Sequence, residues 1–386
     1  MAATRLSDVA SRLLSNVERD CGQLTDDVMR LPVERYLSPV QWQREIDEIY
    51  LKVPLLACLS VDIPSAGDYS AWEIVGRKVL TIRGDDGVAR SFLNVCRHRG
   101  ANLVCDGFGH GRRITCPYHS WSYDAQGALV GVTGRELFGP IDVTGLIELP
   151  TAERSGVVFS VLTPGLPFDI DEWLGDMSSA LEHVQLDKLH RYEVTTSLES
   201  GNWKVTADGY LDGYHLGYLH RNTIGVRSIT NRNTYDVYGP HVRIGFANKP
   251  ILQMKDLPLD QWNLPEAMSL VHFLFPNISI SGQPGRRTMI SRMSPGPTVD
   301  RCTVVAYQYS RTPIETDEHR AEMESARQVY ADVTGDEDFV TVLGITDSMP
   351  SIANECLMFG RNECGNQNLH SWIERLTTAT TPVTVG

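Results

Sequence analysis

The order of apolar and polar positions divides the 386-residue chain into stretches of different period. Residues 1–52 carry helical spacing, first in an amphipathic N-terminal run and again in "SPVQWQREIDEIYLK", where Ser38 is placed to cap a helix and Pro39 suits its first turn. From Trp72 to about Leu162 the pattern changes to short strand-like runs. "KVLTIRGDDGVARSFLNV" predicts a hairpin about Asp86-Gly87, "WSYDAQGALVGV" a second about Gln126-Gly127, and "GVVFSVL" a closing strand. Beyond residue 165, "GNWKVTADGYLDGYHLGYLHRN" reads as a helix, and strands follow in "TYDVYGPHVRIGFA", "SLVHFLFPNISISG", "RRTMISRMS" and "RCTVVAYQYSR". Helices from Thr316 to Val333 and about Asn366 to Leu376 close the chain, with Trp372 and Leu376 at core spacing. Strands in series flanked by helices predict an α+β fold. A small antiparallel β domain is expected over residues 37–164, and a larger domain, 1–36 with 165–386, on an antiparallel sheet flanked by helices.

Charge narrows the partners. A net charge of -13 and a pI near 5.3 argue against nucleic-acid or anionic-membrane surfaces, which need clustered Lys and Arg. No apolar run approaches the ~18 residues of a transmembrane helix. The first twenty residues mix charges into the helical pattern, unlike a signal peptide, so the expected location is cytoplasmic. The eight cysteines are spread along the chain, which favours free thiols and metal ligands over a disulfide framework.

Two groups of residues carry chemistry. Cys96-x-His98 and Cys116-x-x-His119 flank residues 99–115, so each arm can come from one loop. A structural zinc site is one reading of two thiols and two imidazoles. Zinc fingers, however, usually group two cysteines in one arm and two histidines in the other. A Rieske [2Fe-2S] cluster takes two thiolates on one iron and two imidazoles on the other, which two mixed arms supply. Cys105 is expected to be a structural thiol and His110 an exposed loop residue.

Downstream, Asp208, Asp212 and His215 stand at i, i+4 and i+7, on one helical stripe. His220 lies about 140° further round an ideal helix, so both imidazoles meet one ion only if the helix distorts or ends between them. Gly217 makes such a break easier. Two histidines and a carboxylate with open positions form the facial triad of non-haem Fe(II) oxygenases. By itself His-x4-His is also the pattern of two packed histidines on a buried helix.

"CRHRGANL" followed by "CPYHSWSYD" resembles the Rieske motif of bacterial ring-hydroxylating oxygenases, the family of naphthalene dioxygenase. "NWKVTADGYLDGYHLGYLH" is similar to the same family's mononuclear iron motif, and the likeness extends over roughly residues 35–375. The resemblance implies that Cys96 and Cys116 bind one cluster iron, and His98 and His119 the other. It implies His215 and His220 as ligands of a mononuclear Fe(II), and Asp212 as the acid linking a neighbouring subunit's Rieske histidine to an iron-binding histidine. Asp208, with Gly209, stands where many members carry Glu-Asn, and is grouped with Asp212 as a catalytic acid. The family's third ligand comes from a C-terminal helix, where "GDEDFVTV" offers Asp338, preferred over Asp336. His370 is expected to be a surface or packing histidine. Ser120 stands where many members have Gly or Ala. Respiratory Rieske proteins carry a further cysteine in each arm, which this chain lacks.

The implied activity is that of a catalytic α subunit, a terminal oxygenase using O2 for dihydroxylation or monooxygenation. Its electrons come from NAD(P)H through a separate reductase, with or without a ferredoxin, since no Gly-x-Gly-x-x-Gly follows a strand here. A homotrimer or α3β3 assembly is implied. The substrate expected from the apolar and aromatic "GYLDGYH" and "HFLFPNISISG" is a hydrophobic or aromatic small molecule. The competing classes are a Rieske electron carrier without oxygenase activity and a zinc-stabilised binding module.

Overall fold

The computed structural model describes residues 5–378. They form two compact units, one made of residues 46–173 with 185–188, the other of the described remainder.

The smaller unit is built from antiparallel sheets. Its five-stranded sheet runs Glu148–Leu149, Ala89–Leu93, Arg77–Arg83, Asp68–Ile74, Gly107–His110. The first predicted hairpin is the Arg77–Arg83 and Ala89–Leu93 pair, turning through Gly87 at φ 77°. The second joins Ser122–Asp124 to Leu129–Gly131, with Arg113–Thr115 on the other side. "GVVFSVL" supplies Val157–Ser160, between Leu55–Leu59 and Thr151–Arg154. One apolar cluster gathers Leu80, Ile82, Phe92, Leu103, Ile114, Trp121 and Tyr123 together with the thiols of Cys96 and Cys116.

The sequence pattern starts this domain at residue 37, but the compact unit starts at Ile46. Burial explains the difference. The Pro39–Glu45 helix buries Gln41 and Glu45, and Glu45 binds Lys204 and Trp203 of the larger unit. At the other end the unit continues to Trp173, and 185–188 joins it where Leu186 packs against Gly156.

The larger unit is a meander in which Thr234–Tyr238, His241–Ala247, Met268–Leu274, Ile278–Gly282, Thr288–Pro295 and Cys302–Ser310 pair antiparallel in chain order. His190–Arg191 and Thr196–Ser200 both pair with Cys302–Ser310. The Leu6–Glu18 helix buries Val9, Ala10, Leu13 and Leu14 against Ala247, Ile251 and Met268. Gly245 permits that approach, since a Cβ there would lie 3.0 Å from Val9 Cγ1.

Residues 1–52 are less helical than their spacing predicts. Met29–Pro32 is a strand paired with Cys356–Phe359. Ser38 does cap, its Oγ accepting from the Gln41 N–H at 3.2 Å. Thr316 likewise caps the Asp317–Asp332 helix. In the Cys364–Thr378 helix Leu376 is buried, whereas Trp372 is only half-buried beneath the Arg375 guanidinium, 4.6 Å from its ring centre. The C-terminal helix that "GDEDFVTV" was expected to join is there as Val340–Ser348, but Asp338 itself lies in a π-helical turn over Val333–Phe339 that the sequence did not announce. No helix among the described residues is long and apolar enough to cross a membrane.

Candidate metal centres

The two arms of the first group fold into equivalent turns. The Cys96 N–H donates to Ala101 O and the Gly100 N–H returns to Cys96 O; likewise Cys116 N–H donates to Trp121 O and Ser120 N–H to Cys116 O. In each turn the fourth residue after the cysteine is left-handed, Gly100 at φ 75° and Ser120 at φ 56°. A glycine fits that conformation without strain, whereas the Cβ of Ser120 carries a backbone cost there.

These turns bring both thiols and both imidazoles to one end of the apolar cluster. The His98 and His119 ring centres are 4.6 Å apart. His98 stacks on Trp121 at 4.9 Å with rings nearly parallel, and Phe138 meets it edge-on. The His98 Nδ1 atom is buried with no hydrogen-bond partner, as a nitrogen kept for a metal would be. Its pKa is lowered by burial, then by His119 and Arg99, which favours the neutral, ligating form. Burial works to raise the Cys116 thiol, but the N–H groups of Tyr118 and His119 and the Cys96 thiol outweigh it and hold it below the ordinary range. Tyr123 accepts from the Arg97 N–H at 2.9 Å and lies 3.5 Å from Cys96 Sγ. The donor set and the free nitrogen fit a [2Fe-2S] cluster. Cys105 is exposed, so it fills no core position, and His110 is an exposed strand residue 2.8 Å from Asp68.

The second group forms where regular helix stops. Asn202 caps a helix of Trp203–Leu211, which ends one residue before Asp212, so the predicted stripe of Asp208, Asp212 and His215 is not helical throughout. The break falls at Asp212-Gly213 rather than at Gly217. A side chain at Gly213 would collide with Asn233 and Phe246. A 3-10 turn follows at His215–Gly217. Asp212 Oδ1 accepts from the Tyr214 N–H at 2.5 Å and Oδ2 pairs with His215 Nδ1 at 2.9 Å. This leaves His215 Nε2 facing His220 Nε2 and the Asp338 carboxylate, and the three ligand atoms lie within 4.8 Å of one another. Asp338 Oδ1 is 2.9 Å from His220 Nε2 and 3.6 Å from His215 Nε2. Asp336, the other candidate, is not in the group. Burial would lower the His220 pKa, but Asp338 and Glu337 together hold it above the ordinary value. The same carboxylates favour a metal cation in place of that proton.

Asp208 turns elsewhere. Its carboxylate accepts from Tyr36 Oη at 2.9 Å and from Asn366, and lies 2.9 Å from His370 Nε2. His370 is therefore buried and hydrogen-bonded, neither at the surface nor at the metal group. A further carboxylate, that of Glu337, lies 2.5 Å from His220 Nδ1. Its signal in the sequence was only its place beside Asp338.

Comparison with known proteins follows this geometry. Residues 54–138 match the profile of the Rieske [2Fe-2S] domain, and residues 185–379 that of the ring hydroxylating alpha subunit (catalytic domain). The glycine betaine monooxygenase oxygenase subunit of Pseudomonas aeruginosa is 30% identical over 197 residues, 50% of this chain and 46% of that protein. The carnitine monooxygenase oxygenase subunit of Escherichia coli is 30% identical over 194 residues, 49% of this chain and 52% of that protein. The chain thus spans about half the length of the curated relatives it matches. The crystal structure of the quaternary ammonium Rieske monooxygenase CntA with an inhibitor superposes with a TM-score of 0.79 at 19% identity, covering 96% of this chain and 98% of that one.

Proposed function

Because this chain belongs to the ring-hydroxylating alpha-subunit family, we propose that it is the terminal oxygenase of a multicomponent system. It would use O2 and electrons relayed from NAD(P)H by a separate reductase, with or without a ferredoxin, in a homotrimer or α3β3 assembly. The observation that carries this reading is the convergence of His215, His220 and Asp338 in a chain that also gathers Cys96, His98, Cys116 and His119. An electron carrier or a zinc module would need only the second set.

When bound, the [2Fe-2S] cluster supplies single electrons and the mononuclear Fe(II) supplies O2 chemistry. Asp212 fixes the tautomer of His215, so that Nδ1 carries the hydrogen and Nε2 faces the metal position. His215, His220 and Asp338 would hold the ion, leaving it room to supply O2 chemistry beside a substrate. Asp208 instead binds Tyr36 and His370 and is outside the group of His215, His220 and Asp338.

The substrate we propose is a small organic molecule with a polar or charged group. Three hydroxyls form a chain near Asp338: Tyr210 Oη to Tyr330 Oη at 2.9 Å, and Tyr330 Oη to Ser291 Oγ at 2.8 Å. Burial raises both tyrosine pKa values, and the Asp338 carboxylate adds to the effect in each. Hydroxyls so close to the metal group offer a polar substrate a partner that a bare hydrocarbon does not use. The relatives named for glycine betaine and carnitine support the same class. The second reading, an aromatic substrate, rests on the apolar and aromatic "GYLDGYH" and "HFLFPNISISG".

The test is an anaerobic visible spectrum with iron and sulfide assays, then O2 uptake with a reductase and candidate substrates. About three irons and two sulfides per chain, and colour that bleaches with dithionite, are expected. His215→Ala should abolish turnover and keep the colour, and Asp212→Ala should slow electron delivery to the second iron. A colourless zinc protein, or normal turnover in His215→Ala, would refute the proposal.

A further inference from the structure

We propose that Glu337 is a positioning residue that fixes His220 for metal binding, and that Glu337 and Asp338 act as a pair on the two nitrogens of that one imidazole. The inference rests on reading His215, His220 and Asp338 as an iron site. His220 is 1% exposed, so no bulk water is available to orient its ring. Glu337 Oε2 lies 2.5 Å from Nδ1, while Asp338 Oδ1 lies 2.9 Å from Nε2. Consecutive residues therefore reach opposite sides of the same ring. Thr223 Oγ1 donates to the same Glu337 oxygen at 2.9 Å, which holds that carboxylate in place.

The arrangement dictates a tautomer. A carboxylate accepts, so Nδ1 must carry the hydrogen and Nε2 keeps its lone pair for the metal. Glu337 faces Nδ1, on the far side from the ligand atoms, so it is not itself a ligand; among the described residues it is His215, His220 and Asp338 that group within 4.8 Å. The local backbone makes the pairing possible. In a regular α-helix consecutive side chains diverge by about 100°. Here the Val333–Phe339 turn is π-helical, a wider turn of the kind often found at functional sites. The longer glutamate reaches round the ring and the shorter aspartate meets its near side. His215 is held in parallel fashion by Asp212. Each metal-facing imidazole then has its own carboxylate behind it, the arrangement that orients ligands and raises their basicity.

The experiment uses the full chain with its cluster intact and the mononuclear site emptied, titrated anaerobically with Co(II). Glu337→Ala should weaken Co(II) binding about 10- to 100-fold. Glu337→Gln keeps an acceptor oxygen at the same reach and should recover most of that loss. Glu337→Asp keeps the charge but is one methylene short, and should bind like the alanine variant. Proton NMR of the Co(II) form adds a readout that general loosening would not move. Two exchangeable, hyperfine-shifted imidazole N–H signals are expected in wild type, and the His220 signal should be lost in Glu337→Ala and kept in Glu337→Gln. Equal Co(II) affinity in wild type and Glu337→Ala, or a glutamine variant as weak as alanine, overturns the proposal. If Glu337→Ala fails to fold, the comparison of Glu337→Gln with Glu337→Asp decides it. Wild type that binds no Co(II) refutes the iron-site reading itself, so the two failures are distinguishable.

Discussion

The ion pair behind the metal-bearing segment gives a prediction whose size follows from the structure. Lys204 and Glu45 side chains are each 1% exposed, and Lys204 Nζ reaches the two Glu45 oxygens at 2.6 and 2.8 Å. Trp203 Nε1 and Gln41 Nε2 donate to the same carboxylate at 2.9 and 3.1 Å. Lys204→Met leaves Glu45 buried without its cation. Taking up a proton at pH 7 relieves it, at about 3.7 kcal/mol for a carboxyl whose ordinary pKa is near 4.3. The two remaining donors lower that figure, so a loss of about 3 kcal/mol is expected. Glu45→Leu strands Lys204 instead, and losing its proton at pH 7 costs about 4.6 kcal/mol. The double variant strands neither charge and should lie only about 1–3 kcal/mol below wild type, because only the Trp203 and Gln41 donors lose their acceptor. The assay is urea unfolding of all four proteins at fixed protein and metal concentration. The cycle should show a coupling of about 5 kcal/mol, and the Lys204→Met loss should shrink as pH falls toward 5. Additive effects, or single losses under about 1 kcal/mol, would refute the reasoning.

Two further outcomes test the electrostatics and the backbone. Glu363 is pushed up to about 7 by burial, then by the Asp212 and Asp208 carboxylates, against the pull of the Gly360 N–H. Its unfolded value is about 4.3, so the folded chain holds a proton that the unfolded chain has released, and stability falls as pH rises to about 7. Glu363→Gln should therefore stabilise more at pH 8 than at pH 5, by about 1–2 kcal/mol after allowance for partial exposure; urea midpoints that shift equally at both pH values contradict it. Ser120→Gly relieves the left-handed strain at φ 56° and should raise stability by about 0.5–1 kcal/mol with the cluster spectrum unchanged. A lower midpoint would show that the serine side chain matters more than its backbone.

Local chemistry was legible in the sequence, and long-range pairing was not. Cys96, His98, Cys116 and His119 announce a metal through residue type and spacing within two short arms. The meander strands were readable because each pairs with its chain neighbour across a short turn or loop. Met29–Pro32 was not, because its partner Cys356–Phe359 lies near the other end of the chain. The structure turns Asp208 and Asp212 to different partners for a related reason. A helical stripe assumes that the helix continues, whereas the close approach of Asn233 and Phe246 to Gly213 belongs to the tertiary fold. Periodicity also cannot distinguish a π-helical turn from an α-helical one, so the role open to Glu337 was invisible even where Asp338 was chosen.

The two histidines are held by different kinds of structure, and that difference has a consequence for order of assembly. Asp212 and His215 are three residues apart, and Asp212 also binds the Tyr214 N–H, so His215 is oriented by its own segment. His220 lies five positions beyond His215, and in continuous helix they would diverge by about 140°. His220 is brought round by the irregular turns after Leu211 and is held by Glu337 and Asp338, more than a hundred residues away. Opening the 333–339 turn removes both carboxylates from His220 together, while the Asp212–His215 contact survives. A bound metal ties that turn down, since it binds the closed form and not the open one. Hydrogen exchange should then slow markedly over 333–339 on addition of Co(II), and change much less over 212–215. Equal protection of the two segments would mean that His215 is also assembled by the metal, and that its carboxylate partner does not preorganise it.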